Sequence, residues 1–561
     1  MLSDFKKSTI YQIYIRSFKD SDNDGFGDLG GIIEKLDYLK DLGVDYLWLT
    51  PFFVSPQRDN GYDIANYLEI DSRFGTMEDF ETLVEEADKR GLGIMLDMVF
   101  NHTSTEHEWF KRALSGDPKY LDYYIFKDGT PDDLPTNWVS KFGGPAWQYV
   151  DHLKKWYLHL FDVTQADLNW ENPDVREALK NVIRFWKNKG VRGFRFDVVN
   201  LISKPEIYEN DTIGDGRRFY TDGRHVHEFL KELVHDTGID TMITVGEMSS
   251  TSIDNCIRYT NPAEKELSMC FNFHHLKVDY KNGNKWDLMP PDYTALKRLF
   301  EDWQLKMQSG DGWNALFWSN HDQPRVVSRF GDDKNFWRES ATMLSTFTHL
   351  LRGTPYIYQG EEIGMTNPYF ASIDQYRDVE SLNYYQILLD EGKTPDNALS
   401  IIEARSRDNG RTPMQWNADA YAGFSSCKPW IDIPDNYQYI NVASEVADPD
   451  SVLNYHKQLI ALRKNHPAIS DGQIAFIDSD NLDVFAYRRY TKDESICVFC
   501  NLTNHKTTVN TFIHADSSVV LLSNYPTSSL CSPLTLRPYE ALVLQIDSKS
   551  NEKGAFYENR Y

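Results

Sequence analysis

Eight short runs rich in β-branched and aromatic residues recur along the first two thirds of the chain, with helical patterns between most of them. In order they are YQIYIRSF, DYLWLTP, GIMLDMVFNH, GFRFDVV, MITVGEM, LSMCFNFH, NALFWSNHD and TPYIYQGEE. The segments between them carry helix signals. In NPDVREALKNVIRFWKNKG, Asn172 is a capping residue type and Pro173 suits the first helical position. Val175, Ala178, Leu179, Val182, Ile183 and Trp186 form one apolar stripe, which Gly190 ends. EDFETLVEEADKRG is acidic early and basic late, as a helix macrodipole favours. Eight strands alternating with helices predict an α/β chain, a (β/α)8 TIM barrel.

Two stretches break the alternation. One follows the third strand and is rich in Tyr, Trp, Gly, Pro and Asp; the other follows the eighth strand and reads as irregular. Near the C-terminus, closely spaced runs such as DVFAYRRY, ESICVFCNLT and EALVLQID read as strands of an antiparallel sheet. The expected division is residues 1–102 and 171–469 for the catalytic barrel, with an irregular insertion at about 366–450. Residues 103–170 form an inserted subdomain and 470–561 a C-terminal β domain, its polar tail SNEKGAFYENRY expected to fray.

Charge narrows the partners. With 59 Lys and Arg against 84 Asp and Glu, the net charge of −25 repels nucleic acid and anionic membranes. A small molecule is the expected partner, and an anionic one needs its own cationic pocket. No run approaches the roughly 18 apolar residues of a membrane span, and MLSDFKKSTIYQIY lacks the apolar stretch of a signal peptide. The six cysteines lie scattered at 256, 270, 427, 497, 500 and 531. Cys497 and Cys500 stand three apart in a strand-like run, so they point to opposite faces and make no redox or zinc pair. The expectation is a cytoplasmic, thiol-reduced protein.

Barrel enzymes place their chemistry where strands end. Here Asp97 and then Asn101-His102 end the third strand, Arg195 and Asp197 the fourth, Glu247 the fifth, and His321-Asp322 the seventh. Singly, such an Asp is often a helix cap and such a His a structural hydrogen-bonder. Carboxylates gathered at one mouth repel and raise one another's pKa, so the cluster needs a metal or a reaction. Ligand spacing of the zinc kind is missing. Paired carboxylates suit glycoside cleavage, one attacking the anomeric carbon and the other protonating the leaving oxygen. Aromatic residues that can stack on sugar faces crowd the excursion: Phe142, Trp147, Tyr149, Trp156 and Phe161.

DMVFNH, QADLNW, GFRFD, VGEM and NHDQPR resemble, in order, the best-known segments of the α-amylase superfamily. The resemblance implies Asp197 as nucleophile, Glu247 as general acid/base and Asp322 as transition-state stabiliser. It also implies that Arg195, His102 and His321 hold the terminal glucosyl ring, with Phe142, Phe161, Gln165 and Val198 among the substrate contacts. Asp59 and Arg411 are expected to grip the ring's distal hydroxyls as an ion pair, with Tyr62 stacking on it. A pocket closed in this way favours exo-action. Val198, where α-1,4-specific relatives commonly have Thr, is similar to the oligo-1,6-glucosidase group. The loops KFGGPAWQY, GDGRRFYTDG and HHLKVDYKNG look most like bacterial trehalose-6-phosphate hydrolases, which implies a phosphorylated disaccharide as substrate and isomalto-oligosaccharides as the alternative. The phosphate would need cations, and Lys141, Lys277, Arg217, Arg218 and Lys285 stand in loops after the strand ends. QADLN in place of the usual QPDLN and YIRSF in place of a Pro-Lys pair depart from the pattern without touching the triad.

The loop KDSDNDGFGD places Asp20, Asp22, Asp24, the Phe26 carbonyl and Asp28 at the spacing of an EF-hand start, but the twelfth position is Gly31, not Glu. A solvated acidic turn is the plain alternative. Resemblance to oligo-1,6-glucosidases implies a structural Ca²⁺, and no organic cofactor is expected.

Overall fold

The structure, a computed structural model, describes residues 5–511, 518–526 and 533–546. All eight runs form parallel strands: β1 (Ile10–Ile13), β2 (Tyr46–Leu49), β3 (Gly93–Met98), β4 (Gly193–Phe196), β5 (Ile243–Glu247), β6 (Met269–Phe271), β7 (Ala315–Leu316) and β8 (Thr354–Tyr358). Their order is β6-β5-β4-β3-β2-β1-β8-β7, and a parallel bridge from Cys270 to Asn314 closes the ring between β6 and β7. Strands β1, β3, β4 and β8 are buried along their whole length, as strands walled on both faces must be.

The helices begin and end where their sequences say. Asn172 accepts the amide of Asp174 at the start of helix Pro173–Asn188, and Gly190 follows in the left-handed region at φ +92°. Val175, Leu179, Val182, Ile183 and Trp186 are buried, while Ala178 is half-buried. Thr76 and Asp79 form a capping box on helix Met77–Lys89.

Between β3 and β4 the chain leaves the barrel through a two-stranded neck. His102–Ser104 pairs antiparallel with Gln165–Asp167, with His102 opposite Asp167. The excursion holds a three-stranded sheet of Phe126–Asp128, Lys155–Leu158 and Trp147–Val150. After β8, the stretch read as irregular contains two helices of more than ten residues, Val379–Asp390 and Pro395–Arg405. Their apolar residues do not line up on one stripe, because they pack against each other and against Trp286 rather than lying on a flat barrel face. That is why periodicity missed them.

Among the described residues, five antiparallel strands between Gln473 and Ile546 form the C-terminal sheet. It docks on helix Trp337–His349, where Phe347 and Phe485 stack at 4.0 Å. Cys497 and Cys500 do point to opposite faces: Cys500 joins the core shared with the barrel, Cys497 the core on the far side. Cys531 and the polar tail lie outside the described residues. Among the described residues no helix is long and apolar enough to cross a membrane.

Trp186 ties helix Pro173–Asn188 to the segment between β2 and β3. It is fully buried, packs on Phe52, Phe53 and Phe80, and donates its indole N–H to the Tyr67 carbonyl at 2.8 Å. Trp186→Ala is expected to cost about 3–5 kcal/mol through the cavity and the orphaned carbonyl. Urea unfolding followed by circular dichroism measures it.

Candidate active site

Strand register brings the first group of charges together. Arg195 on β4 lies beside Asp97 on β3 and Val245 on β5, so the Arg195 and Asp97 side chains project to the same side. Asp197 and Glu247 follow at the ends of β4 and β5. The Arg195 guanidinium is fully buried and donates 2.6 Å hydrogen bonds to Asp97 Oδ1 and to Asp197 Oδ1, and it also contacts the Glu247 carboxylate. Asp97 is further held by the Tyr62 hydroxyl at 2.9 Å and the Trp48 indole at 3.1 Å. Burial pushes the Asp97 carboxyl up to about 7, with Asp197 adding to the rise and Arg195 opposing it.

Asp197 is followed by Val198 at φ 35°, ψ 40°. A β-branched residue rarely occupies this left-handed region, at a strain of about 1–3 kcal/mol. The strand therefore breaks abruptly after Asp197, and the carboxylate stands at the strand mouth.

A second group assembles from loops distant in sequence. Asp322, beyond β7, accepts from Arg411 at 2.8 Å and faces Arg407 at 3.4 Å. Burial acts to raise the Asp322 carboxyl; His321, Arg407 and Arg411 outweigh it and hold it well below the usual carboxylate range. His321 itself is pushed down to about 3 by burial, so its ring is neutral near pH 7 and the arginines carry the stabilisation. The ring stacks on Tyr62 at 4.9 Å and bonds Gln12 at 2.8 Å. His102 sits behind, its Nε2 3.1 Å from the Tyr62 carbonyl and 3.3 Å from Gln165.

The structure corrects one expectation. Asp59 makes its ion pair with Arg407, at 3.0 Å, and not with Arg411. Arg407 also bonds Asp378 at 2.6 Å, while Arg411 turns to Asp322 and the His321 carbonyl. Both arginines lie in SRDNGR, four residues apart, so one helical turn separates them and spacing alone could not assign the partners. Gln165 donates to the other oxygen of Asp59 at 3.0 Å. Burial pushes the Asp59 carboxyl up to about 7 against the pull of Arg407 and Arg411. Asp378, which caps helix Val379–Asp390, was not singled out by sequence; no motif marks it.

A cavity of about 290 Å³ opens in front of these groups. Glu247, Asp322, Arg407, Phe142, Phe161 and Val198 line it, and four of the five candidate phosphate cations do too: Lys141, Arg217, Lys277 and Lys285. Arg218 does not; it is half-exposed, paired with Asp211 at 3.0 Å and laid over Phe219. Lys285 is held by Glu380 at 2.6 Å, and Arg217 by Asp215 at 2.5 Å. Lys141 donates to Ser249 at 3.0 Å, and burial followed by the charges of Arg217 and Lys277 pushes it down to about 7.

In the acidic loop, Asp20, Asp22 and Asp28 offer oxygens within 4.8 Å of one another. Asp24 is not in that group: its Oδ1 accepts the Phe26 amide at 2.8 Å. Asp20 accepts from the Asn23 and Gly25 amides, and Asp28 from Gly31. Gly25, at φ +94°, passes so close to the Lys428 carbonyl that a Cβ would meet it at 2.6 Å. An all-oxygen donor set of this kind fits Ca²⁺.

The pairing of Asp59 is open to a double-mutant cycle. Asp59→Asn and Arg407→Met are expected to couple by about 1–3 kcal/mol in urea unfolding, because Arg407→Met leaves Asp59 buried without its cation while Asp59→Asn removes one of the carboxylates of Arg407. Asp59→Asn and Arg411→Met are expected to couple clearly less.

The family described as Alpha amylase, catalytic domain, matches residues 12–472. The chain is 52% identical over 550 residues to the trehalose-6-phosphate hydrolase of Bacillus subtilis (strain 168), covering 97% of this chain and 98% of that protein. It is 46% identical to an oligo-1,6-glucosidase of Parageobacillus thermoglucosidasius, covering 97% and 99%. The crystal structure of Bacillus licheniformis trehalose-6-phosphate hydrolase superposes with a TM-score of 0.93 at 51% identity, covering 97% of this chain and all of that one. With a closed eight-stranded barrel and carboxylates at its strand ends, the chain belongs to the α-amylase family of glycoside hydrolases.

Proposed function

We propose that this chain is a retaining, exo-acting α-glucosidase that hydrolyses trehalose 6-phosphate to glucose and glucose 6-phosphate. The observation that carries the reading is the cationic group Lys141, Arg217 and Lys277 lining the cavity in front of Glu247, on a chain of net charge −25. A dianion needs such a local field against that background. Relatives named trehalose-6-phosphate hydrolase, more than half identical over nearly the full length, support it.

The chemistry follows from the groups in hand. The unmodified glucose enters first, its distal hydroxyls meeting Asp59 and Arg407, with Arg411 bracing Asp322 behind. Asp197 attacks the anomeric carbon while Glu247 gives a proton to the departing oxygen, and glucose 6-phosphate leaves. Water, deprotonated by Glu247, then releases glucose from Asp197, and two inversions retain the α configuration. One guanidinium bridging Asp197 and Glu247 supports the short carboxylate separation of about 5–5.5 Å that retention uses, rather than the roughly 6.5–9.5 Å of inversion. Asp322, kept ionised by two arginines, faces the positive charge of the oxocarbenium-like transition state.

Isomalto-oligosaccharides remain the competing substrates, favoured by the oligo-1,6-glucosidase relatives and by Lys285, whose salt bridge to Glu380 needs no phosphate. Free thiols at Cys256, Cys270, Cys427, Cys497 and Cys500 support action in the cytoplasm. The reading also includes a structural Ca²⁺ held by Asp20, Asp22 and Asp28.

Three measurements test these statements. Separate incubations with trehalose 6-phosphate, trehalose, isomaltose and maltose are expected to release glucose fastest from the phosphorylated sugar, and far faster isomaltose cleavage would reverse the assignment. Lys141→Ala or Lys277→Ala is expected to raise KM for trehalose 6-phosphate by removing about 1.5–3 kcal/mol, roughly ten- to a hundredfold, with a neutral aryl α-glucoside nearly unaffected. Because Lys141 is pushed down to about 7, it carries its charge below that pH and loses it above; kcat/KM for the phosphorylated over the neutral substrate should therefore fall as pH rises through 7.

For mechanism, Asp197→Asn should abolish turnover with the fold intact, and Glu247→Gln should recover most on substrates with good leaving groups. β-Glucose as the first product seen by NMR would refute retention. For the acidic loop, a chelator is expected to lower Tm and Ca²⁺ to restore it; a Tm indifferent to both would leave the loop a solvated turn.

A further inference from the structure

Away from the catalytic mouth, three buried side chains from separate segments converge beside β8. His349 ends helix Trp337–His349, which leads into the strand; Glu361 opens the turn that follows the strand; His456 lies on helix Val452–Asn465. They are 3%, 6% and 0% exposed, and each offers a ligand atom within 4.8 Å of the other two. The imidazole rings meet nearly edge to face, 5.5 Å apart at 77°.

Hydrogen bonding leaves this group incomplete. Nε2 of His349 and Oε2 of Glu361 are buried without a hydrogen-bond partner, a costly condition for polar atoms in the interior. The tautomer of His456 is set by its neighbour. Its Nδ1 lies 2.9 Å from the Val452 carbonyl, which can only accept, so Nδ1 carries the proton and Nε2 presents a lone pair. Ser345 Oγ lies 2.9 Å from that Nε2 and 3.0 Å from the Ala341 carbonyl. Its single proton can go to Ala341, leaving the imidazole lone pair free. An Nδ1–H bound to a backbone carbonyl with Nε2 turned inward is the orientation metal-ligating histidines adopt.

We propose that His349, His456 and Glu361 form a buried structural site for a zinc-class transition-metal ion, tying β8 to the two helices that flank it. Two imidazole nitrogens and one carboxylate oxygen suit Zn²⁺ or a neighbouring first-row ion and disfavour Ca²⁺ and Mg²⁺, which take oxygen alone. Ser345 Oγ, 2.9 Å from His456 Nε2, would complete four-coordination. The site differs in ligand chemistry from the all-oxygen loop at Asp20, so the two are separable by metal as well as by mutation. Helix Trp337–His349 also carries the C-terminal sheet, so the ion would brace the junction of the barrel with that sheet.

The test uses the full chain produced in zinc-supplemented medium and dialysed, with metal content read by mass spectrometry. About one zinc per chain is expected in the wild type and in Asp22→Asn, and less than a tenth of that in His456→Gln, which also loses several degrees of Tm while cleaving an aryl α-glucoside at the wild-type rate per folded molecule. A wild type without zinc, its orphan atoms then being bridged by water, overturns the proposal. So does a His456→Gln protein that carries as much zinc as the wild type. Should that variant fail to accumulate, wild type grown with Co²⁺ decides: intense visible absorption of a four-coordinate cobalt ion with nitrogen ligands is expected, and its absence from the purified protein refutes the site.

Discussion

A single buried guanidinium organises the catalytic end of this barrel. Arg195 sits where Asp97, Asp197 and Glu247 would otherwise repel one another across three adjacent strands. Its charge offsets theirs only in part, which is why burial still pushes Asp97 up to about 7. Removing a partner from such a group leaves a buried charge uncompensated, a penalty of about 3–5 kcal/mol. The arrangement is thus poor as a source of stability and good as a device for holding carboxylates close at fixed positions.

The same logic repeats one layer out. Arg407 and Arg411 serve three carboxylates, Asp59, Asp322 and Asp378, supplied by loops after β2, β7 and β8. Burial raises Asp59, which among the described residues pairs with Arg407 alone, whereas Asp322 and Asp378 are held down, each within ion-pair distance of both arginines. Two neighbouring acids in one pocket therefore differ in proton affinity through placement alone. Beyond them the cavity rim turns cationic at Lys141, Arg217 and Lys277, against the acidic whole.

Strain marks the point where strand gives way to site. Val198 holds a left-handed backbone immediately after Asp197, and the surrounding core over-determines it: Val198 is 5% exposed, packed among Leu201, Trp147 and Tyr220. The inserted subdomain is thereby part of the site's support. Its neck pairs His102 with Asp167 and sets Gln165 against Asp59.

Much of this was legible in the chain itself. Eight β-rich runs and their capped helices specify the barrel, because hydrophobic period and end-residue chemistry are local properties that survive into the fold. Asp197, Glu247 and Asp322 were legible as polar interruptions at strand ends, and the strand spacing of Cys497 and Cys500 correctly separated them. What sequence left undecided were choices between equivalent residues. Arg407 and Arg411 are one helical turn apart with the same chemistry, and only the packing of SRDNGR against Asp378 decides which reaches Asp59. Arg218 and Arg217 are adjacent, yet one lines the cavity and its neighbour turns to Asp211. The helices after β8 lacked a stripe because their apolar sides face several partners at once. Sequence by itself determined which side chains carry charge and at which strand ends they stand; the tertiary structure alone decided which charges meet, since an ion pair between segments hundreds of residues apart depends on how loops pack and not on any local period.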